Sequence, residues 1–473
     1  MFKKVSFAWK SLACLLAVVL VIPALYTPGV WAEDNAAPPG TLFTVIDARG
    51  GANTSYYVTE SFIGDNPGLR AGPFEYTDIN NAGSWRSQTG ISGVHLENLF
   101  AKLGITGLAG SNLVEFREGG AGSFFRTFTW EYISAPRFSY RDMAKTSVPA
   151  VIRDDSAEGD MSALSLIFGQ EAPTELTRGG FVSGMKGGTI TILSAAADSF
   201  APVTAAPRPA DGEAPAAGTV QSVLAEGTQL ALIVPGGGSA YFTLDGTEPT
   251  RGSYLFNYAP QNSNQNNTAF FWPVIRAVDA DPETGKITLK AKVFGADRLP
   301  SETASFTYRV IPFTDVKASD WFADSVCFVY GHELMKGTST TLFSPQRAMS
   351  RGMFVTVLLR IQGDIPAIDI VTGDDGGSLD PNDRITREQM AAILYRYAKY
   401  AGCDVSFDEN TNILSYEDAL SISEYAVPAM QWACGAGIIQ GSNNRLDPKG
   451  SATRAQVAAI LERFIRLGVT QSK

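Results

Sequence analysis

Between residues 41 and 196 apolar and polar positions alternate in short runs: LFTVIDA, SYYVTESFI, NLVEFREG, FFRTFTWEYI and GGTITILSA, separated by turn residues. A period of two reads as half-buried strands. One segment departs from it. In GVHLENLFAKLGI the residues Val94, Leu96, Leu99, Phe100 and Leu103 fall largely on one helical face, and Gly104 stops the run. The pattern predicts an α+β, mostly β domain over 41–196. The stretch APVTAAPRPADGEAPAAG is dominated by Pro and Ala and lacks periodicity, which predicts a semi-extended linker over 197–218. Alternation returns in QLALIVP, AYFTLDG, ITLKAKVFG and ASFTYRV, predicting a small Ig-like β-sandwich over 219–311.

Beyond Pro312 the period becomes helical and one frame occurs three times: FSPQRAMSRGMFVTVLLR (343–360), LDPNDRITREQMAAILYR (379–396) and LDPKGSATRAQVAAILER (446–463). Ser350, Thr386 and Thr453 are good N-cap residues, and Gln389 and Gln456 sit where a capping box needs them. The apolar residues that follow repeat their offsets: Phe354, Val357, Leu358, Ile361; Met390, Ile393, Leu394, Tyr397; Val457, Ile460, Leu461, Phe464. That spacing is one helix face, hence core. Arg351, Arg387 and Arg454 each take the first helical position. There the helix dipole disfavours a cation by about 0.3–1 kcal/mol. Two compensations are open. One is an anionic ligand gripped by guanidinium and helix N-terminal amides together; the other is a neighbouring repeat's carbonyls or carboxylate. The threefold use of an unfavourable placement favours the ligand. Upstream of the first and third frames run an Asp, a short loop, a helix led by Trp321 or Tyr425, and a glycine (Gly337, Gly441). The unit is helix, loop, helix, and the second copy lacks room for a full leading helix. The boundaries are 313–364, 365–403 (truncated) and 404–468.

Composition narrows the function. Residues 1–32 run from basic (Lys3, Lys4, Lys10) through an apolar stretch to Val30 and Ala32, the order of a cleavable secretory signal peptide. Its removal leaves 38 − 3 = 35 basic against 48 acidic residues, a net charge of −13. An acidic chain without a basic tract is not a nucleic-acid binder, and no second long apolar run spans a membrane. Cys327, Cys403 and Cys434 remain; their spacings suit no zinc site, and Cys327 and Cys434 sit in apolar helical contexts as buried thiols. The two histidines, His95 and His332, lie far apart, so no metal or nucleophile constellation and no catalytic motif is present.

The repeated frames resemble the S-layer homology domain, the cell-wall anchor of bacterial surface proteins, over about residues 313–466. The family's Thr-Arg-Ala-Glu motif stands as Ser350-Arg351-Gly352-Met353, Thr386-Arg387-Glu388-Gln389 and Thr453-Arg454-Ala455-Gln456. The resemblance implies a bundle of three repeats whose grooves bind anionic, typically pyruvylated, secondary cell wall polysaccharide. The implied binding residues are Arg351, Arg387 and Arg454, with Trp321 and Gly337 in the first unit and Tyr425 and Gly441 in the third. The Asp245-Gly246-Thr247-Glu248-Pro249 turn and its surroundings resemble the non-catalytic C-terminal module of chitobiase-type enzymes. GVHLENLFAKLGITG, FTWEYI, PAVIRDD, LSLIFGQ and GGTITI resemble, in order, the molybdopterin-binding domain of the sulfite oxidase family. That family fixes molybdenum through a cysteine, and 41–196 holds none, so the fold is expected without a cofactor. The expectation is a non-enzymatic exported surface protein held at the cell wall, displaying an N-terminal domain for other surface proteins or glycans. A molybdopterin-using surface oxidoreductase and a carbohydrate-binding accessory protein are the alternatives.

Overall fold

The computed structural model describes residues 37–79, 85–119, 124–139, 147–153, 164–171, 182–208, 218, 220–236, 238–256, 272–362, 380–406 and 413–468. The expected signal peptide lies outside them. The N-terminal region contains β1 (Thr41–Asp47), β2 (Thr54–Thr59), α1 (Glu60–Asp65), β3 (Arg70–Ile79), β4 (Trp85–His95), α2 (Leu96–Lys102), β5 (Asn112–Arg117), β6 (Phe125–Thr129), α3 (Trp130–Ser134), β7 (Val151–Arg153), β8 (Ser165–Ile167) and β9 (Gly188–Ala196). One sheet runs β2-β1-β9-β5-β6, with β1 and β9 parallel and the other pairs antiparallel; a second runs β3-β4-β7-β8. Alternation turns Ile190 and Ile192 of β9 inward, where they share a core with Phe43, Val45, Val114, Phe116, Leu99 and Phe100. The helix expected from Val94 onward begins only at Leu96, because Val94 is spent on β4, opposite Ile152. Gly104, at φ 74°, ends it: the Ile105 N–H reaches back to the Phe100 carbonyl at 2.9 Å.

The middle region contains β10 (Thr204–Pro207), β11 (Val223–Leu224), β12 (Thr228–Ile233), β13 (Ser239–Thr243), β14 (Tyr254–Phe256), β15 (Val274–Ile275), β16 (Ile287–Phe294) and β17 (Ala304–Val310). A five-stranded sheet, β11-β17-β16-β13-β14, and a three-stranded one, β10-β12-β15, enclose Leu230, Leu232, Phe242, Ile287, Leu289 and Val293. This corrects the linker expected over 197–218. Thr204–Pro207 pairs with Leu230–Ile233, and Phe200, Val203 and Ala206 are buried in the sandwich core. Proline misled the sequence reading because β10 is an edge strand, where a residue without an N–H costs no ladder bond. Residues 209–217 lie outside the described set.

The sandwich docks on both neighbours. Toward the N-terminal region, the Thr129 N–H donates to the Ala296 carbonyl at 2.8 Å. Beside that bond, Arg251 pairs with Glu171 at 3.0 Å and lies over the Tyr132 ring. Toward the C-terminus, Ala225 and Ile311 belong to the helical core.

That core is built by α4 (Ala323–Gly331), α5 (Arg351–Gln362), α6 (Arg387–Tyr400), α7 (Val427–Gly435) and α8 (Arg454–Arg466). Phe354, Leu358, Met390, Leu394, Tyr397, Val457, Leu461 and Phe464, all from the repeated stripes, are buried together. Just before α5, α6 and α8 the chain forms a closed triangle of backbone hydrogen bonds. Met349 N–H donates to Ala452 at 3.0 Å, Ala452 to Ile385 at 2.9 Å, and Ile385 to Met349 at 3.0 Å. Three copies are needed to close it, which gives the repeat a structural reason.

Candidate functional site

The three helix starts interlock with the loops of the next unit. The N–H of Arg351 donates to the Asp383 carbonyl at 2.9 Å, that of Arg387 to Gly450 at 3.0 Å, and that of Arg454 to Arg347 at 2.9 Å. One residue on, Gly352, Glu388 and Ala455 donate to Pro381 (2.9 Å), Pro448 (3.0 Å) and Pro345 (2.9 Å). The third amide of each helix goes to its cap. Met353 N–H reaches Ser350 Oγ, and Gln389 and Gln456 form reciprocal capping boxes with Thr386 and Thr453. The amides that an anion at a helix N-terminus would use are therefore occupied.

The arginine side chains follow the same cycle. Arg387 donates through Nε to the Leu446 carbonyl at 2.7 Å and through Nη2 to Gln440 at 3.2 Å. Arg454 does the same to Phe343 at 2.8 Å and Lys336 at 2.5 Å, with its guanidinium over the Phe343 ring. Both are buried, and burial pushes both guanidinium pKa values below the ordinary arginine value. The cation disfavoured at a helix start is thus offset by two carbonyls of the neighbouring unit: the arginines are struts between repeats. Arg351 is half-buried, and the Leu379 position equivalent to Leu446 and Phe343 lies outside the described residues.

Each strut holds a loop braced from the other side by an aspartate that the sequence reading did not single out. Asp315 accepts the N–H groups of Phe343 and Ser344, both at 2.8 Å; Asp418 accepts those of Leu446 and Asp447, both at 2.8 Å. Their signal was present as the Asp opening each leading segment. The glycines serve packing as well. A Cβ on Gly337 would stand 2.5 Å from the Phe313 ring, and one on Gly441 2.3 Å from the Tyr416 ring.

Two junctions result, with different contents. Where α8 meets the first unit, Arg454 reaches the carbonyl beside Gly337; in the first unit Trp321, just ahead of α4, is 65% exposed. Where α6 meets the third unit, Arg387 reaches the carbonyl beside Gly441. There Tyr425 donates its hydroxyl to Glu388 Oε1 at 3.3 Å. The repeat register sets Ala455 opposite the first unit where α6 has Glu388 opposite the third. Beside the first junction, a cleft of about 900 Å³ lies between the sandwich and the first unit, lined among others by Arg309, Tyr330, Lys336 and Gly337.

The model of the S-layer homology domain matches residues 312–352, 369–391 and 415–458. The C-terminal part consists of S-layer homology repeats. The match to the second repeat is shorter than the other two. These repeats place the chain at the cell wall or S-layer surface. Among the described residues no helix is long and apolar enough to cross a membrane. The chain is 33% identical over 177 residues to an endoglucanase of Bacillus sp. (strain KSM-635), covering 33% of this chain and 19% of that protein. It is 30% identical over 207 residues to an amylopullulanase of Thermoanaerobacterium thermosulfurigenes, covering 38% and 10%. It is 28% identical over 194 residues to the exoglucanase XynX of Acetivibrio thermocellus, covering 36% and 17%. The chain thus spans a fifth or less of the length of these relatives. A solved structure of Clostridium thermocellum CbhA fibronectin(III)-like modules aligns over 51% of this chain and 92% of its own, at 10% identity and a TM-score of 0.16, too low to bear on the fold.

For the N-terminal region, a molybdenum site does not fit the donors present. It holds no cysteine thiolate, and among the described residues no three of His, Cys, Asp and Glu converge as a metal set. The three cysteines farther on are free thiols; burial pushes Cys327 up to about 12 and Cys434 up to about 11.

Proposed function

We propose that this cell-surface protein is held non-covalently by an acidic, pyruvylated secondary cell wall polysaccharide gripped where α8 meets the first repeat. The carrying observation is Trp321, an indole 65% exposed on the segment of the first repeat that leads into α4. An exposed aromatic face suits stacking against a sugar ring. On this reading Arg454 and Gly337 shape the groove by holding the loop. The N-terminal domain and sandwich are displayed outward as a binding module that does no chemistry. A carbohydrate ligand for that module is the second reading, favoured by the glycoside-hydrolase names of the relatives.

The test is co-sedimentation of the full chain with purified cell wall polysaccharide. Wild type is expected in the pellet and folded Trp321→Ala in the supernatant. Equal pelleting of the two would remove the groove from the account, and no pelleting of wild type would remove the polysaccharide.

A further inference from the structure

Glu388 is 3% exposed, and a carboxylate so placed is costly unless fully partnered. Its partners form a complete receptor. Ser423 donates its N–H at 3.0 Å and its hydroxyl at 2.9 Å, Tyr425 its hydroxyl at 3.3 Å, and Lys449 its ammonium at 2.7 Å. Lys449 also bonds the Ser423 hydroxyl, tying the donors to one another. All four donors belong to the third unit and the acceptor to α6, so the receptor does not need Glu388 to be built.

We propose that the junction of α6 with the third unit is a carboxylate-binding site that the chain keeps closed with its own Glu388 side chain. The donor set of one backbone amide, two hydroxyls and one ammonium suits a carboxylate carried on a small aliphatic or sugar group. The other junction shows that the frame does not require the glutamate. Ala455 holds the equivalent backbone bond, to Pro345, at 2.9 Å against 3.0 Å for Glu388 to Pro448. Replacing Glu388 by Ala therefore removes the occupant and leaves the receptor.

The primary test does not depend on the proposed function. The Tm of the helical transition is followed in the full-length Glu388→Ala protein as sodium acetate is added, against sodium chloride at equal ionic strength. Acetate supplies the deleted methylene and carboxylate. It is expected to raise the Tm of Glu388→Ala by about 3–6 °C at ten times its Kd and to leave wild type unmoved. Adding Lys449→Ala should abolish the shift. Glu388→Ser serves in the same way if the alanine variant does not fold. Equal responses to acetate and chloride in the folded variant would overturn the proposal.

A second arm rests on the proposed function. If wild type binds wall polysaccharide, Glu388→Ala should add one bound site per chain by calorimetry. An unchanged site number despite acetate binding would show that this receptor takes small carboxylates only and would overturn its assignment as a closed glycan groove.

Discussion

The two described repeat junctions share a backbone and differ in what fills them. At both, a buried arginine spans two carbonyls of the next unit, an aspartate braces the same loop, and a glycine lets an aromatic ring close over it. At one, the helix carries Ala455, and the first unit carries an exposed Trp321. At the other, the helix carries Glu388, clamped by Ser423, Tyr425 and Lys449. The arginine that makes the motif conspicuous thus ties neighbouring repeats together, while the residue after it differs between the two junctions.

The largest expected effect breaks what the junctions share. Arg454→Ala strips a cation from two buried carbonyls and should cost about 3 kcal/mol in urea unfolding, since each charge-assisted bond is worth about 1.5–3 kcal/mol. Arg454→Lys should recover little, because one ammonium does not reproduce a planar fork. A variant that loses wall binding at unchanged stability would instead return the arginine to a ligand role.

The brace comes next. Burial alone would raise the Asp418 pKa, but the N–H groups of Leu446 and Asp447 and the nearby Arg445 outweigh it, so the carboxyl titrates below its ordinary 3.8. A group whose folded pKa is depressed contributes stability above the unfolded value, lost as pH falls through the folded one. Asp418→Asn should therefore cost about 1–3 kcal/mol at pH 7 and progressively less below pH 3.8, as urea midpoints against pH would record. A cost independent of pH would mean that the charge is not what holds the loop.

What lay within one helix was legible in the chain. The stripe around Phe354, Met390 and Val457 and the Thr–Gln capping boxes are local patterns, and the structure has them where the spacing put them. The partners of Arg387 and Arg454 were not, because backbone carbonyls have no residue signature and lie 53–118 positions away. A dipole argument could show that these cations needed an offset, but not which carbonyls supply it. Thr204–Pro207 was lost for a related reason: edge-strand pairing leaves proline permissible, so composition imitated a linker. Glu388 has no local signature because its partners lie 35 to 61 positions away.

A smaller effect sharpens the difference between the junctions. Ala455→Glu combined with Gln346→Lys copies the Glu388–Lys449 pair into the α8 junction, Gln346 standing where Lys449 does in the frame. Wall binding should fall at least tenfold, with thermal stability held within a few degrees. Retained binding would show that the residue after the arginine does not gate the groove.

The most direct measurement is a paired one: isothermal titration of purified wall polysaccharide into full-length Trp321→Ala and Tyr425→Ala, each confirmed folded by circular dichroism. The account predicts that Trp321→Ala loses binding and Tyr425→Ala keeps the wild-type affinity. Loss in Tyr425→Ala with binding intact in Trp321→Ala would contradict it.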